Sequence, residues 1–513
     1  MTSVSPIHQG CTTQHTLATS QGLIPYQAEA QWQVLYDHDH PVAELFYVAY
    51  TVASEAAPDR PLTFVVNGGP GAASAYLHMG ALGPKRVCFQ ADGGLPKPPV
   101  RVEDNLETWL PFTDLVFIDP IGTGFSRALP KPKDPEPKDA PRAEPPVAPT
   151  PADGSSEPNP QATKPDPSAL EQAKTFWNLD RDLKALGDFI QRYLSDHHRW
   201  LSPIFIAGES YGGFRVAKLA RSLQQDFGVG LNGVVIISPV LEFDLLYGTD
   251  YSLANWAVAI PSMAAAAVHH GRVATEDSPA AHAAKAETFA RQTLIPMLAL
   301  GQLAPEADRQ RVYGDLAALI GLPVEVVQRH RGRVDIGTFA RELLRDQTRI
   351  LGLYDASITA IDPFPNRPLN DGTDPTLEGL DRLFTGAINH HLRHTLGLST
   401  PLTYHLLNYE VFKAWTFLTD RPEKQGFVGA MDDLRVAMAL NPHMQVVINH
   451  GLYDLVTPYF SSNLLIDLMA LSPELRPNLT LRHFPGGHMF YTWEASRQQW
   501  QRSMQGFYQR ALA

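Results

Sequence analysis

Cysteine is almost missing from this chain: Cys11 and Cys88 are the only two among 513 residues. One disulfide is arithmetically possible, but a disulfide framework is not, so a buried core must hold the fold. Long apolar runs are missing too. The best candidate, "WAVAIPSMAAAAV" (256–268), is broken by Pro261 and too short to cross a bilayer. Charge is present but nowhere bunched: the formal net charge is −12, and the 42 Lys and Arg residues are scattered. Without a basic stripe to match a phosphate backbone, nucleic acid is not an expected partner. The opening "MTSVSPIHQGCTTQHTLATS" has no basic cluster followed by an apolar core. It does not read as a secretory leader, and a cytoplasmic location is expected.

Metal-binding signatures are also wanting. His390 and His394 in "NHHLRH" have i, i+4 spacing, but no glutamate completes H-E-x-x-H and no third ligand is evident. A pair on a helix surface is the plainer reading, and neither a metal nor an organic cofactor is expected. "DHDH" (37–40) reads as a polar turn between strands.

Proline, by contrast, is concentrated. Ala128 to Ser168 holds 13 of the 43 prolines, with Val147 as its one β-branched aliphatic residue and no aromatics. Such a segment cannot bury enough apolar surface to offset its ordering entropy, so residues 128–168 are expected to form a disordered or polyproline-rich loop.

Around it lie short apolar runs, each closed by a turn: "LTFVVNGGPG" (62–71), "DLVFIDPIGTG" (114–124), "PIFIAGESYGG" (203–213), "GVVIISPV" (233–240), "QVVINHGLYD" (445–454) and "LTLRHFPGGH" (479–488). Continuous apolar runs suit strands buried on both faces of a sheet. Between them, Phe176, Leu179, Leu183, Leu186, Ile190 and Tyr193 recur at helical spacing. The alternation predicts an α/β protein with a doubly wound, mostly parallel sheet. "AELFYVAYTV" (43–52) is expected to open it in antiparallel fashion. From about 245 to 435 helix formers dominate, which predicts a largely helical cap between a first core part (20–244) and a second (436–513).

"FIAGESYGG" (205–213) carries the chemistry. A nucleophile elbow needs a strand that stops abruptly, a strained serine, a helix that starts at once, and small neighbours that let strand and helix approach. Gly208 and Gly212 flank Ser210 at that spacing, and a helical pattern follows. Ser126 in "GFSRA" fits a looser version of the motif, but proline-rich sequence follows it, so it reads as a loop serine. A serine hydroxyl needs a base and an acid to orient that base. Asp454 and His488 each fall at the tip of a later expected strand. His483 lies inside a strand and His450 precedes its turn, so packing or surface roles suit them better. Plainer readings exist for the neighbours: Glu209 as a buried acid stabilising the turn, Asn67 as a cap on the glycine turn, Asp454 as a helix cap.

Taken together, "NGGPGAAS" (67–74), "DPIGTGFS" (119–126), "GESYGG" (208–213), "GLYDLVTP" (451–458) and "GGHMFY" (486–491) resemble the serine carboxypeptidase family, peptidase family S10, particularly its bacterial branch. "FARELLRDQTRILGLYDA" (339–356) is similar to bacterial members as well. The resemblance implies an α/β-hydrolase fold and release of C-terminal residues from peptides. By motif position, Ser210 would be the nucleophile, His488 the general base and acid, and Asp454 its orienting partner. Backbone N–H groups of Gly69 and Tyr211 would form the oxyanion hole, and Asn67 with Glu209 would hold the substrate's terminal carboxylate. The chain departs from the family at Ala81, where a second glutamate is usual, at Val65 for a tryptophan and at Ala72 for a cysteine. The missing glutamate leaves an esterase or acyltransferase on the same three residues as an alternative. A silent hydrolase fold docking partners through its proline-rich loop is a more distant one.

Overall fold

The computed structural model describes residues 8–19, 22–52, 60–130, 167–367, 374–417 and 428–513. Most of the proline-rich segment, 131–166, therefore lies outside the described residues. So do residues 1–7, 20–21, 53–59, 368–373 and 418–427.

Each expected apolar run is a strand of one ten-stranded sheet. Along the chain its main strands are β1 (Cys11–Thr19), β2 (Gly22–Asp37), β3 (His40–Val52), β4 (Leu62–Val66), β5 (Asp114–Ile118), β6 (Ile204–Glu209), β7 (Gly233–Ile237), β8 (Gln445–Gly451) and β9 (Leu479–Phe484). In space they run β1-β2-β3-β5-β4-β6-β7-β8-β9. The first three pair antiparallel, and every neighbour from β5 to β9 is parallel. This is the α/β-hydrolase arrangement. Residues of β4 to β7 are buried throughout, as strands covered by helices on both faces must be.

The sheet begins earlier than position 20. Strand β1 occupies nine residues before it, and "DHDH" is the turn joining β2 to β3. The apolar face read from Phe176 to Tyr193 belongs to helix α1 (Leu179–Asp196), with Asn178 as its cap: the Asn178 side chain accepts the Arg181 N–H. Helix α2 (Tyr211–Gln225) follows β6 directly. Between β7 and β8 the described chain is mostly short helices, with one two-stranded ribbon, Arg349–Leu351 against Thr359–Ile361. These helices build an apolar cluster of their own that also includes Leu452, Tyr453 and Leu455 from the loop after β8. The cap is thus packed onto the carboxyl ends of the strands, where open α/β sheets bind ligands. Cys11 and Cys88 are both free.

Candidate active site

At Ser210 the chain turns from β6 into α2 with φ 60° and ψ −124°. That is a sparsely populated conformation, costing about 1–3 kcal/mol for a residue with a Cβ, and it persists only when the surroundings enforce it. They do. Ser210 N–H donates to Ile237 O at 2.9 Å, and Gly213 N–H returns to Ser210 O at 2.9 Å. The flanking glycines are needed for contact rather than flexibility. A Cβ on Gly208 would sit 2.1 Å from Gly212 O, and one on Gly212 would sit 2.6 Å from Val66 O. The serine itself is partly exposed, unlike Glu209 before it and Tyr211 after it.

Three more strand ends meet there. From the loop after β8, Asp454 is fully buried and divides its two oxygens between tasks. Oδ1 accepts the N–H groups of Val456 and Thr457, both at 2.9 Å, which fixes the turn. Oδ2 faces His488 Nδ1 at 2.7 Å. Asp454 anchors a turn, as one plain reading expects, and orients an imidazole as well. An ionised carboxylate only accepts, so Nδ1 must carry the proton, which leaves the Nε2 lone pair free to act as a base. Burial opposes the charged imidazolium of His488, but the Asp454 charge and hydrogen bond, helped by Glu209, more than offset it and raise its pKa.

The Thr457 hydroxyl, which the sequence reading did not single out, lies 2.8 Å from Asp454 Oδ2, 2.9 Å from Ser238 O and 3.0 Å from His488 Nδ1. Ser238 in turn donates its hydroxyl to His488 O at 2.7 Å. The cap closes the ring of supports. His488 N–H donates to Tyr354 O, and the Tyr354 ring meets the imidazole edge-on at 5.2 Å. Asp355 Oδ2 accepts Gly487 N–H at 2.9 Å and Trp493 Nε1–H at 3.1 Å, while Leu455 N–H donates to Leu353 O at 3.1 Å. The short stretch 353–355 therefore grips both the acid loop and the histidine loop.

From β4, the glycine turn 67–71 comes against the elbow. A Cβ on Gly68 would lie 2.6 Å from Tyr211 N and 2.9 Å from Ser210 Cβ. Among the described residues no backbone acceptor takes the N–H of Gly69 or of Tyr211, as suits donors awaiting an oxyanion. Asn67 does not cap its own turn. Its Oδ1 accepts Leu77 N–H at 3.0 Å, and its Nδ2 donates to Glu209 Oε2. Arg215 of α2 secures the same loop: its guanidinium donates to Asn67 O at 2.7 Å and is paired to Asp182 of α1 at 2.6 Å. Neither Arg215 nor Asp182 belongs to a sequence motif.

Glu209 is the electrostatic oddity. Burial pushes its carboxyl up to about 7, against the opposing pull of His488, Tyr491 and Asn67. It is therefore substantially protonated near neutrality, and its Oε1 has no close hydrogen-bond partner.

The remaining candidates are packed elsewhere. Ser126 is buried, donating to Asp119 O at 2.6 Å and accepting Phe46 N–H at 2.7 Å, so it is a structural tie. His450 is bonded to Ser462 at 2.8 Å and His483 to Asn463 at 2.9 Å. The rings of His390 and His394 sit 5.2 Å apart, and among the described residues no cluster of three or more metal-ligating side chains occurs.

A strained serine at a strand–helix elbow in this sheet defines a serine hydrolase of the α/β-hydrolase fold. The family model for serine carboxypeptidases matches residues 33–258, a span that includes Asn67, Gly69, Glu209, Ser210 and Tyr211. Over that span the chain is similar to serine carboxypeptidases. Among solved structures, a prohormone-processing carboxypeptidase from Saccharomyces cerevisiae has the same fold at 16% identity, with 94% of this chain and 91% of that one covered and a TM-score of 0.53. A proline iminopeptidase from Mycobacterium smegmatis is 13% identical over 94% of this chain and 99% of that one, with a TM-score of 0.37. No curated protein sequence matches the chain.

Proposed function

We propose that this hydrolase is a carboxypeptidase that removes C-terminal residues from peptides through an acyl-enzyme. Ser210 Oγ attacks the scissile carbonyl carbon while His488 Nε2 takes its proton. The resulting oxyanion is met by the N–H groups of Gly69 and Tyr211. His488 then returns the proton to the departing amine, the C–N bond breaks, and the shortened peptide remains esterified to Ser210. Water, deprotonated by the same imidazole, hydrolyses that ester. Asp454 holds the imidazole in the tautomer that both halves require.

The observation that carries the substrate assignment is Glu209. A buried acid held largely neutral beside the nucleophile can donate a hydrogen bond to an acceptor-only group, and a peptide's terminal carboxylate is such a group. Asn67 holds the carboxyl in place through Oε2. A blocked dipeptide, its C-terminal amide and a simple aryl ester separate the possibilities. A carboxypeptidase hydrolyses the free acid with a kcat/KM at least about tenfold above the amide, the value of one hydrogen bond to a charged group. Equal rates on acid and amide, with the ester fastest, would favour an esterase or acyltransferase. That second reading draws on Ala81, which supplies no second acid.

A further inference from the structure

We propose that Tyr491 is a specificity-determining residue whose hydroxyl donates to the substrate's C-terminal carboxylate, the second donor that Ala81 cannot provide. The inference rests on the carboxypeptidase reading and names a residue that reading leaves out.

Tyr491 follows His488 by three residues, on the same loop beyond β9. It is fully buried, yet its hydroxyl has no close hydrogen-bond partner. Glu209 Oε1, the neighbouring buried oxygen, has none either. The phenol lies near enough to steady the ionised form of Glu209, but the two groups stop short of a well-formed bond. Unpaired buried polar atoms are uncommon because each loses its water without recompense. Two of them on interacting groups, one belonging to the residue just before Ser210, fit a place where a ligand completes the pairing.

The ring packs against the helical segment His78–Leu82, which carries residue 81. Ala81 is buried, and a Cβ on its neighbour Gly80 would lie 2.8 Å from Tyr491 Cε2 and 3.2 Å from Phe384 Cζ. Glycine at 80 thus lets the phenol come close to this turn. Trp500 stacks on the ring at 5.9 Å, and Arg497 donates to Tyr491 O at 3.2 Å, so the ring is held in place.

The chemistry is complementary. An ionised carboxylate accepts and cannot donate, so its pocket must supply donors. Protonated Glu209 supplies one through Oε1, since Oε2 is engaged by Asn67. The phenol supplies the other, and burial keeps it protonated well beyond the ordinary tyrosine range. A carboxylate clamp of one acid and one phenol has a single titrating member, where two acids would titrate together.

Kinetics of wild type and Tyr491→Phe at about pH 5, where Glu209 is protonated, test this on a blocked dipeptide acid and its amide. The ratio of kcat/KM for acid over amide should fall about ten- to hundredfold, carried by the KM of the free acid. A purely structural phenol would shift the pH at which Glu209 titrates but leave that ratio alone. If the ratio holds within about twofold in a variant that still takes up a fluorophosphonate at Ser210, the inference falls and the carboxypeptidase reading stands. Wild type showing no preference for the acid would remove the carboxypeptidase reading and this inference with it. Should Tyr491→Phe not fold, Gly80→Ala displaces the ring instead. The same selective loss is expected there, and an unchanged ratio counts against the proposal.

Discussion

Glu209 must be neutral to donate and must sit beside an imidazole that works best unprotonated, so its titration governs substrate recognition. Its carboxyl, pushed up to about 7 by burial, donates below that pH and becomes a buried negative charge facing another carboxylate above it. KM for a free-acid peptide should therefore stay level in mild acid and climb roughly tenfold per pH unit above about 7. In Glu209→Gln the amide donates at every pH, so that climb should vanish. KM measured from pH 5 to 9 in both proteins checks it; an identical climb in the variant would assign it to another group. At this scale the sequence was informative wherever chemistry demands a residue type at a strand tip. Ser210, Asp454 and His488 announce themselves in that way, whereas Asn67 and Glu209 stand out only through the family resemblance. Thr457, Ser238 and Tyr491 do not announce themselves, because a hydroxyl near an imidazole or a carboxyl has no spacing rule of its own.

Single strands and helices matter here through what they clamp. Arg215 on α2 joins Asp182 on α1 to the carbonyls of Asn67 and Gly68, and both partners are buried. Removing the arginine leaves the buried Asp182 carboxyl without its ion-pair partner. Arg215→Ala should lose about 3–5 kcal/mol of stability and lower kcat as the 67–69 turn loosens. Urea unfolding and steady-state kinetics would measure both, and a variant within about 1 kcal/mol of wild type would contradict the clamp. The parallel strands were legible because burial on both faces writes continuous apolar runs. Strand β1 was not: its residues alternate between exposed and partly covered positions, and only Leu17 is buried. The grip of 353–355 on the acid and histidine loops was equally hidden, since it joins segments roughly a hundred residues apart along the chain.

Over the whole molecule, two sets of buried groups pull stability in opposite directions with pH. Burial lowers His78, His391 and His450, so the unfolded chain takes protons below about 6.5 that the native state refuses. Stability from this set falls as pH drops. Burial raises Asp119 and Glu209 to about 7 and Asp355 to about 6, so the native state keeps protons that the unfolded chain releases above about 4. Stability from this second set falls as pH rises toward 7. The two largely cancel between about pH 5 and 7, and below about 4.5 the histidines act unopposed. Melting temperature should be nearly level over the first range and drop steeply under it. A melting temperature that climbs steadily from pH 5 to 7 would contradict the carboxyl assignments.

The overall α/β plan and helical cap were open to reading because they follow from periodicity and order along the chain. The geometry that makes four strand ends into one site depends on long-range packing, which only the folded molecule displays. The most direct measurement of the central claim pairs a fluorophosphonate adduct with peptide hydrolysis. Mass spectrometry should find the adduct on Ser210, and Ser210→Ala should lose both labelling and release of C-terminal residues by at least about a thousandfold. Labelling at another serine, or an alanine variant that still trims peptides at near wild-type rate, would contradict the account.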